Sequence, residues 1–220
     1  MCRMLVFVFY LFFCGYIFTM SKINTIAIVG NSPVLLDKEY GAEIDSHDMV
    51  IRFNNFKIEG YEIYTGKKTT HVCFNAYTLF NENILSFSKE QRLFFYTTES
   101  DEKLTNLLNE KYHGKLSLDD VTIIDNNIYY KELCEKLNAE NNWQGSSGLI
   151  MCQMMVDKFP NAQIDVYGIT FFKDVIKKKD GERYHKIHHY DGTISNSGHD
   201  CEAEWKYYET YLKNTINLHF

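Results

Sequence analysis

Short apolar runs of strand length alternate along this chain with longer segments in which apolar residues recur at helical spacing. The apolar runs predict six strands, and the helical spacing predicts three helices. Apolar strands joined by helices are typical of a parallel sheet covered on both faces. With no internal repeat or Pro/Gly-rich linker, we expect one Rossmann-like α/β domain. The predicted strands are Asn24–Val29, Met49–Asn54, Thr70–Phe74, Arg92–Thr97, Val121–Ile124 and Ile164–Tyr167, and the helices Glu99–Lys111, Ile128–Asn138 and Ser147–Phe159.

The pattern breaks in the first 20 residues, MCRMLVFVFYLFFCGYIFTM, which carry a single charge at Arg3. Their uncharged run of about 17 residues is at the lower limit for spanning a bilayer. We therefore predict a membrane anchor over residues 1–20 and a folded domain over residues 21–220. Two alternatives remain open at this point: a cleaved signal peptide, and a spurious extension with Met20 as the real start.

Composition removes several classes of function. The net charge is -6 over 220 residues, and the only dense basic run is Lys177–Lys179, so a surface that tracks nucleic-acid phosphates is not expected. None of the six cysteines forms a CxxC pair, which argues against a metal knuckle. Buried free thiols are the simpler interpretation of these cysteines.

Three turns rich in small and amide residues mark the expected ligand cleft. Gly30-Asn31-Ser32 follows the first strand, Asn54 closes the second, and Gly145-Ser146-Ser147-Gly148 begins a helix. Ligands of parallel sheets bind beyond the carboxyl ends of the strands, and a helix start favours an anion. Asn and Ser side chains suit a phosphate or a sugar. For Asn31, an Asx turn that only closes the strand is the structural alternative.

The segment HHYDGTISNSGHDCEAEW, His188–Trp205, is rich in histidine. Its spacing does not match a zinc motif, so no metal site is expected. Acid–base chemistry fits better, because an imidazole can accept a proton from an attacking hydroxyl or, when protonated, neutralise a leaving phosphate. The acidic residues up to Glu204 also suit a simple helix start, which leaves His199 unexplained.

Together, these segments resemble the animal-type sialyltransferases, glycosyltransferase family 29. The large motif of that family resembles IAIVGNSPVLLDKEYGAEIDSHDMVIRFNNFKIEGYEIYTGKKTTHV, Ile26–Val72, and the small motif resembles GSSGLIMCQMMVDKFPNAQIDVYGI, Gly145–Ile169. The third motif resembles HHYD, starting at His188, and the very small motif is matched by His199 and Glu204. The motifs occur in the order of the family, which makes the resemblance specific.

The resemblance implies a variant GT-A fold and an inverting, metal-independent transfer of sialic acid from CMP-sialic acid to a glycan hydroxyl. It also implies that His199 is the catalytic base and that His188 supports the leaving phosphate. No Asp-x-Asp metal motif occurs in the chain. No cofactor is expected, and the partners implied are the CMP-sugar donor, the glycan acceptor and the membrane. The donor-binding residues implied are Asn31, Ser32, Asn54, Ser146, Ser147, Gly148, Tyr190 and Glu204.

Two departures from the family affect the expected location. The cysteines of the family disulfide would fall near Ile26 and Phe159, and both positions are apolar here. A Golgi-type lumenal domain is the family expectation, but the missing bridge suits either a reducing compartment or a core that replaces it by packing. Acceptor choice is assigned to the loops Tyr77–Lys89 and Phe171–Lys186.

Two other functions remain open from the sequence. One is transfer of a different CMP-activated keto-sugar such as Kdo, since the same pocket would bind the CMP part of either donor. The other is a non-catalytic relative that binds glycans or partners through the same surface.

Overall fold

A computed structural model describes residues 23–75, 92–97, 101–112, 121–125, 132–133, 135–136, 145–173, 185–197 and 199–220. The predicted anchor over residues 1–20 lies outside these ranges, as do the loop Tyr77–Lys89 and most of Phe171–Lys186, so these stay predictions. Among the helices that are described, none has the length and apolarity needed to cross a bilayer.

The domain is built on a parallel sheet of seven strands, which confirms the predicted α/β fold. All six predicted strands are present within a residue of their expected ends. Three further strands were not predicted from the sequence, and two of these form a separate antiparallel hairpin. The strands are β1 Thr25–Val29, β2 Met49–Phe53, β3 His71–Asn75, β4 Arg92–Thr97, β5 Val121–Asp125, β6 Gln163–Tyr167, β7 His185–His188, β8 Ile194–Ser197 and β9 Asn217–His219.

The strand order β5-β4-β3-β2-β1-β6-β9 places the switch point of the sheet beside β1. From β1 the chain moves outward through β2 to β5, and it then returns to the other side of β1 as β6. Val29 and Tyr167 pair at the carboxyl ends of β1 and β6. Because consecutive connections diverge there, the two strand ends open a crevice of the kind that binds ligands in α/β proteins.

The helices cover both faces of this sheet. They are α1 Gly41–Ser46, α2 Glu62–Thr65, α3 Asp101–Tyr112, α4 Ser147–Lys158 and α5 Cys201–Tyr207, with a 3₁₀ turn at Pro33–Leu36 and a π turn at Tyr208–Leu212 after α5. Seven consecutive residues of α4, Leu149–Met155, are buried. Except for Gln153, they pack in one core cluster with Ile26 and Ile28 of β1, while Ala27 and Val29 belong to a second cluster on the opposite side.

The positions of the missing family disulfide lie in the same apolar cluster. Ile26 is fully buried there, and the partly buried Phe159 packs against it. The described cysteines Cys73, Cys152 and Cys201 are buried, and none of the three forms a disulfide, as the sequence predicts for them. Apolar packing therefore occupies the two positions at which the resemblance implies a disulfide.

The short strand β9 is attached to the sheet by a buried carboxylate, Asp165 of β6. Asp165 accepts hydrogen bonds from His47 at 3.0 Å, Gln163 at 2.7 Å, Asn217 at 3.1 Å and His219 at 2.9 Å. Although burial alone would raise it, these four hydrogen bonds hold the pKa of Asp165 well below its usual range. Pairing with β6, the packing of Leu218 against the core and these side-chain hydrogen bonds together hold β9 in place. A strand of three residues is too short to show an apolar pattern, so the sequence did not predict it.

Candidate active site

The loop after β1 packs tightly on the end of β6. The backbone N–H of Gly30 donates to the carbonyl of Tyr167 at 2.7 Å, and the N–H of Ser32 donates to the carbonyl of Gly168 at 3.0 Å. A Cβ atom on Gly30 would lie 2.3 Å from the Gly168 oxygen, closer than any real contact. Glycine is therefore required at position 30, and the Gly30–Ser32 turn is fixed at the switch point.

Asn31 carries a buried acceptor atom without a partner. Its Nδ2 donates to the Phe53 carbonyl at 3.3 Å, which identifies Oδ1 as the remaining acceptor. Oδ1 is buried and has no hydrogen-bond partner within the described part of the chain. The Asx-turn alternative is wrong, because Pro33 at the required position has no N–H to donate. A buried amide oxygen of this kind costs free energy unless a ligand or water donates to it.

Asn54 turns the chain sharply at the end of β2. Its backbone has φ of +50°, a left-handed conformation that asparagine tolerates better than most residues. Its N–H donates to the Cys73 carbonyl at 2.9 Å. Since Asn54 directly follows Phe53, whose carbonyl accepts from Asn31, the predicted residues of β1 and β2 lie side by side.

The start of α4 lies at the same edge of the sheet. Ser146 caps the helix, since its hydroxyl accepts a hydrogen bond from the Leu149 N–H at 3.2 Å. A Cβ atom on Gly148 would meet the Ile169 side chain at 3.1 Å, so this helix start packs against the segment that follows β6. Ser147 and Gly148 belong to the first turn, where N–H groups have no acceptor within the helix. Such a turn stabilises a bound anion.

The side chain of Glu204 binds the residue that caps the start of α4. Its side chain is fully buried, and its two carboxyl oxygens accept from the Ser146 N–H at 2.6 Å and the Ser146 hydroxyl at 2.8 Å. Burial raises the pKa of Glu204 to about 8, although the two hydrogen bonds lower it. Glu204 thus reaches the predicted donor pocket through Ser146, and its own carboxyl group is enclosed by protein.

His199 lies immediately before α5 with 27% of its side chain exposed. Its Nδ1 is 4.0 Å from Oε1 of Glu204, which is within ion-pair range but too long for a hydrogen bond. The adjoining Asp200 caps α5 by accepting from the Ala203 N–H at 3.1 Å. The acidic first turn therefore stabilises the start of α5, as the sequence analysis considered. His199 is the residue of this segment that remains a candidate for acid–base chemistry.

The turn between β7 and β8 docks on the loop after β1. The N–H of Tyr190 donates to the Asn31 carbonyl at 3.0 Å. Its hydroxyl accepts from the Lys57 N–H at 2.9 Å and donates to the Lys57 carbonyl. Both contacts use Tyr190 to hold the hairpin in place. His188 ends β7 opposite Ile194, and its side chain lies outside what the structure describes.

Backbone and side-chain contacts thus bring the four predicted motif segments to one region of the domain. Lys57 and Phe172 both contact predicted site residues. The sequence placed them only within longer segments, Lys57 in the large motif and Phe172 in the loop Phe171–Lys186. Pattern alone could not identify them, because neither belongs to a catalytic spacing or a recognisable turn. Over the described residues there is no group of three or more His, Cys, Asp or Glu side chains arranged to hold a metal ion.

The fold and this region define an α/β protein with a ligand cleft at the switch point of a parallel sheet. Comparison with known proteins gives the family. The chain belongs to glycosyltransferase family 29 (sialyltransferase), because the model of that family matches residues 17–216.

Curated relatives share short stretches of this chain. A 59-residue stretch, 27% of the chain, is 46% identical to the mouse (Mus musculus) alpha-N-acetylgalactosaminide alpha-2,6-sialyltransferase 1 and covers 11% of that protein. A 45-residue stretch, 20% of the chain, is 53% identical to the pig (Sus scrofa) CMP-N-acetylneuraminate-beta-galactosamide-alpha-2,3-sialyltransferase 1 and covers 13% of it. These matches span well under two thirds of either relative.

The fold is similar to that of a solved mammalian sialyltransferase in complex with Gal-beta-1-3GalNAc-ortho-nitrophenol. The TM-score is 0.64 at 20% sequence identity, over 90% of this chain and 69% of the other. At this level of identity the similarity concerns the fold.

Proposed function

We propose that this protein is an inverting, metal-independent sialyltransferase that uses CMP-sialic acid as donor and a glycan hydroxyl as acceptor. The observation that carries the proposal is the joining of the four family motifs through direct contacts. Asn31 contacts the end of β2 and the Tyr190 turn, and Glu204 connects the start of α4 to the His199 segment.

Each part of the donor has a matching group in the proposed cleft. The phosphate of CMP would lie at the first turn of α4, where the N–H groups of Ser147 and Gly148 stabilise negative charge. The amide oxygen of Asn31 can only accept, so it suits a ribose hydroxyl or the cytosine amino group better than a phosphate oxygen. Ser32 and Asn54 border the same position.

In the proposed reaction the acceptor hydroxyl gives its proton to His199 as its oxygen attacks the anomeric carbon of sialic acid. The bond from that carbon to the CMP phosphate oxygen breaks, its electron pair stays on the phosphate, and the anomeric configuration inverts. The transition state resembles an oxocarbenium ion, so it requires a base on the acceptor side and charge relief on the leaving group. The start of α4 and His188 are the groups proposed for that relief.

The test of the proposed function is a transfer assay with purified full-length chain, an acceptor glycan array and CMP-sialic acid, run with and without EDTA. We expect sialylated product and free CMP in both conditions. A parallel reaction with CMP-Kdo checks the donor. Loss of transfer on adding EDTA would contradict metal independence, and the absence of CMP release from CMP-sialic acid would contradict the activity itself.

Asn31→Ala tests the proposed donor contact separately. We expect CMP to bind about tenfold more weakly, because a hydrogen bond worth about 1 to 1.5 kcal/mol is lost. Isothermal titration with CMP measures the change, and the exposed Lys206→Ala serves as control. Equal CMP affinity in Asn31→Ala and the unmodified chain would rule out the contact.

A further inference from the structure

The three residues Phe171–Lys173, which follow β6, all contact the segment that carries His199. The Phe172 ring lies 5.6 Å from the His199 imidazole, centre to centre, at an angle of 32°. On either side, the neighbouring residues fix the turn. The Phe171 ring stacks on Tyr208 at 4.9 Å, and the Lys173 Nζ lies 5.2 Å from the centre of the Trp205 ring.

The backbone of this turn is unusual for the residues it contains. Lys173 N–H donates to the Thr170 carbonyl at 3.0 Å, and the two residues between them have φ of +47° and +59°. Consecutive positions of this kind favour glycine or asparagine. Here both are phenylalanine, so the surrounding contacts must offset the backbone strain.

The two phenylalanines have different environments. Phe171 is buried and belongs to the main core cluster, so its packing explains its presence. Phe172 is only partly buried. In the described part of the chain it is not among the residues that form or cover that cluster. The contact that distinguishes Phe172 is the one with His199.

We propose that Phe172 is a positioning residue for His199, an inference that rests on the proposed sialyltransferase function. The Phe172 ring packs beside the imidazole, while the Glu204 carboxyl group lies 4.0 Å from its Nδ1. Together they restrict the imidazole to one orientation before the acceptor arrives. A base held in this way avoids the loss of rate that follows from misplacement by even 1 Å.

The experiment combines substitutions at Phe172 with His199→Ala in a double-mutant cycle. Phe172→Leu removes the ring but keeps an apolar side chain, and Phe172→Tyr keeps the ring. The initial rate of transfer is measured against donor concentration, together with CMP affinity and the thermal midpoint. Lys206→Ala, an exposed position on α5, is the matched control.

We expect Phe172→Leu to lower kcat about tenfold with CMP affinity unchanged, and Phe172→Tyr to keep kcat within about twofold. In the His199→Ala background, Phe172→Leu should have no further effect on the residual rate, because the group that Phe172 positions is gone. A role in stability or acceptor binding alone would instead give losses that add. If Phe172→Leu loses CMP binding, Phe172→Met, which is closer in length, repeats the measurement.

The outcomes separate this inference from the proposed function. Active unmodified protein combined with full activity in Phe172→Leu, or additive losses in the double variant, would overturn the positioning role alone. Unmodified protein that does not use CMP-sialic acid would overturn the proposed function and this inference together.

Discussion

Replacing His199 with alanine is expected to lower the rate of sialyl transfer by roughly 10²- to 10⁴-fold, the range typical of a lost general base. The affinity for CMP should change by less than about twofold, because the proposed nucleotide contacts come from the ends of β1 and β2 and the start of α4. Initial-rate kinetics with CMP-sialic acid and isothermal titration with CMP measure the two effects. The variant would therefore have a lower kcat, while its affinity for the nucleotide would be nearly unchanged.

His199→Gln provides the companion to this variant, since it keeps hydrogen-bonding capacity and most of the volume but cannot act as a base at neutral pH. It should be as inactive as the alanine variant if proton transfer is the role of His199. Substantial activity in His199→Gln would show that position 199 only binds, and unchanged activity in His199→Ala would place the base elsewhere.

The sheet could be predicted from the sequence because its central strands are continuous apolar runs. β1 and β2 are almost entirely buried, and burial of this kind leaves a clear pattern. The strand β9, with the sequence Asn-Leu-His, has no such pattern. It pairs with β6, and its Asn217 and His219 side chains donate hydrogen bonds to Asp165. The hairpin β7–β8 likewise lacks an apolar alternation.

The turns proposed for the site could be picked out from the sequence because turn chemistry is local. The contacts that join these turns are not local. Gly30 and Ser146 occur in recognisable turns, but the contact between Ser146 and Glu204 joins residues 58 positions apart. The sequence could not show that Glu204 is enclosed or that the Tyr190 hydroxyl is used by Lys57. These contacts depend on how the elements pack, and no periodicity encodes them.

Two buried carboxyl groups in this domain have opposite pKa shifts. Asp165 accepts from four residues, two of them histidines, and these hydrogen bonds outweigh burial and hold its pKa low. Glu204 is fully buried, and among the described residues it accepts hydrogen bonds from Ser146, so burial dominates and its pKa rises to about 8. The balance between burial and hydrogen bonding thus differs between the two groups. At neutral pH, Asp165 is ionised and accepts hydrogen bonds from β9. Glu204, which is bonded to Ser146 at the start of α4, is predominantly neutral.

The raised pKa of Glu204 predicts that its contribution to stability falls as the pH rises. In the unfolded chain the carboxyl group ionises near its ordinary value of 4.5, but in the folded protein it keeps its proton up to about pH 8. The contribution is therefore complete below about pH 4.5 and is lost progressively towards pH 8 and above. Each pH unit in this window corresponds to about 1.4 kcal/mol at most.

Glu204→Gln and Glu204→Ala separate the charge of this side chain from its hydrogen bonds. The glutamine side chain keeps the shape of the carboxyl group and carries no charge at any of these pH values, and its amide oxygen can still accept from the Ser146 N–H. We expect Glu204→Gln to fold and to remove this pH dependence. Glu204→Ala removes the acceptor of both Ser146 donors and leaves a cavity, and it should lower the free energy of unfolding by about 3 kcal/mol.

Urea unfolding at pH 5, 6.5 and 8 measures these effects as the difference between each variant and the unmodified chain, which cancels other titrating groups. The matched control is Glu202→Gln, an exposed acid in the same first turn of α5. If the difference between the unmodified chain and Glu204→Gln instead stayed constant from pH 5 to pH 8, Glu204 would already be ionised in the folded protein at pH 5. The helix start would then carry a resident negative charge that opposes binding of the donor phosphate.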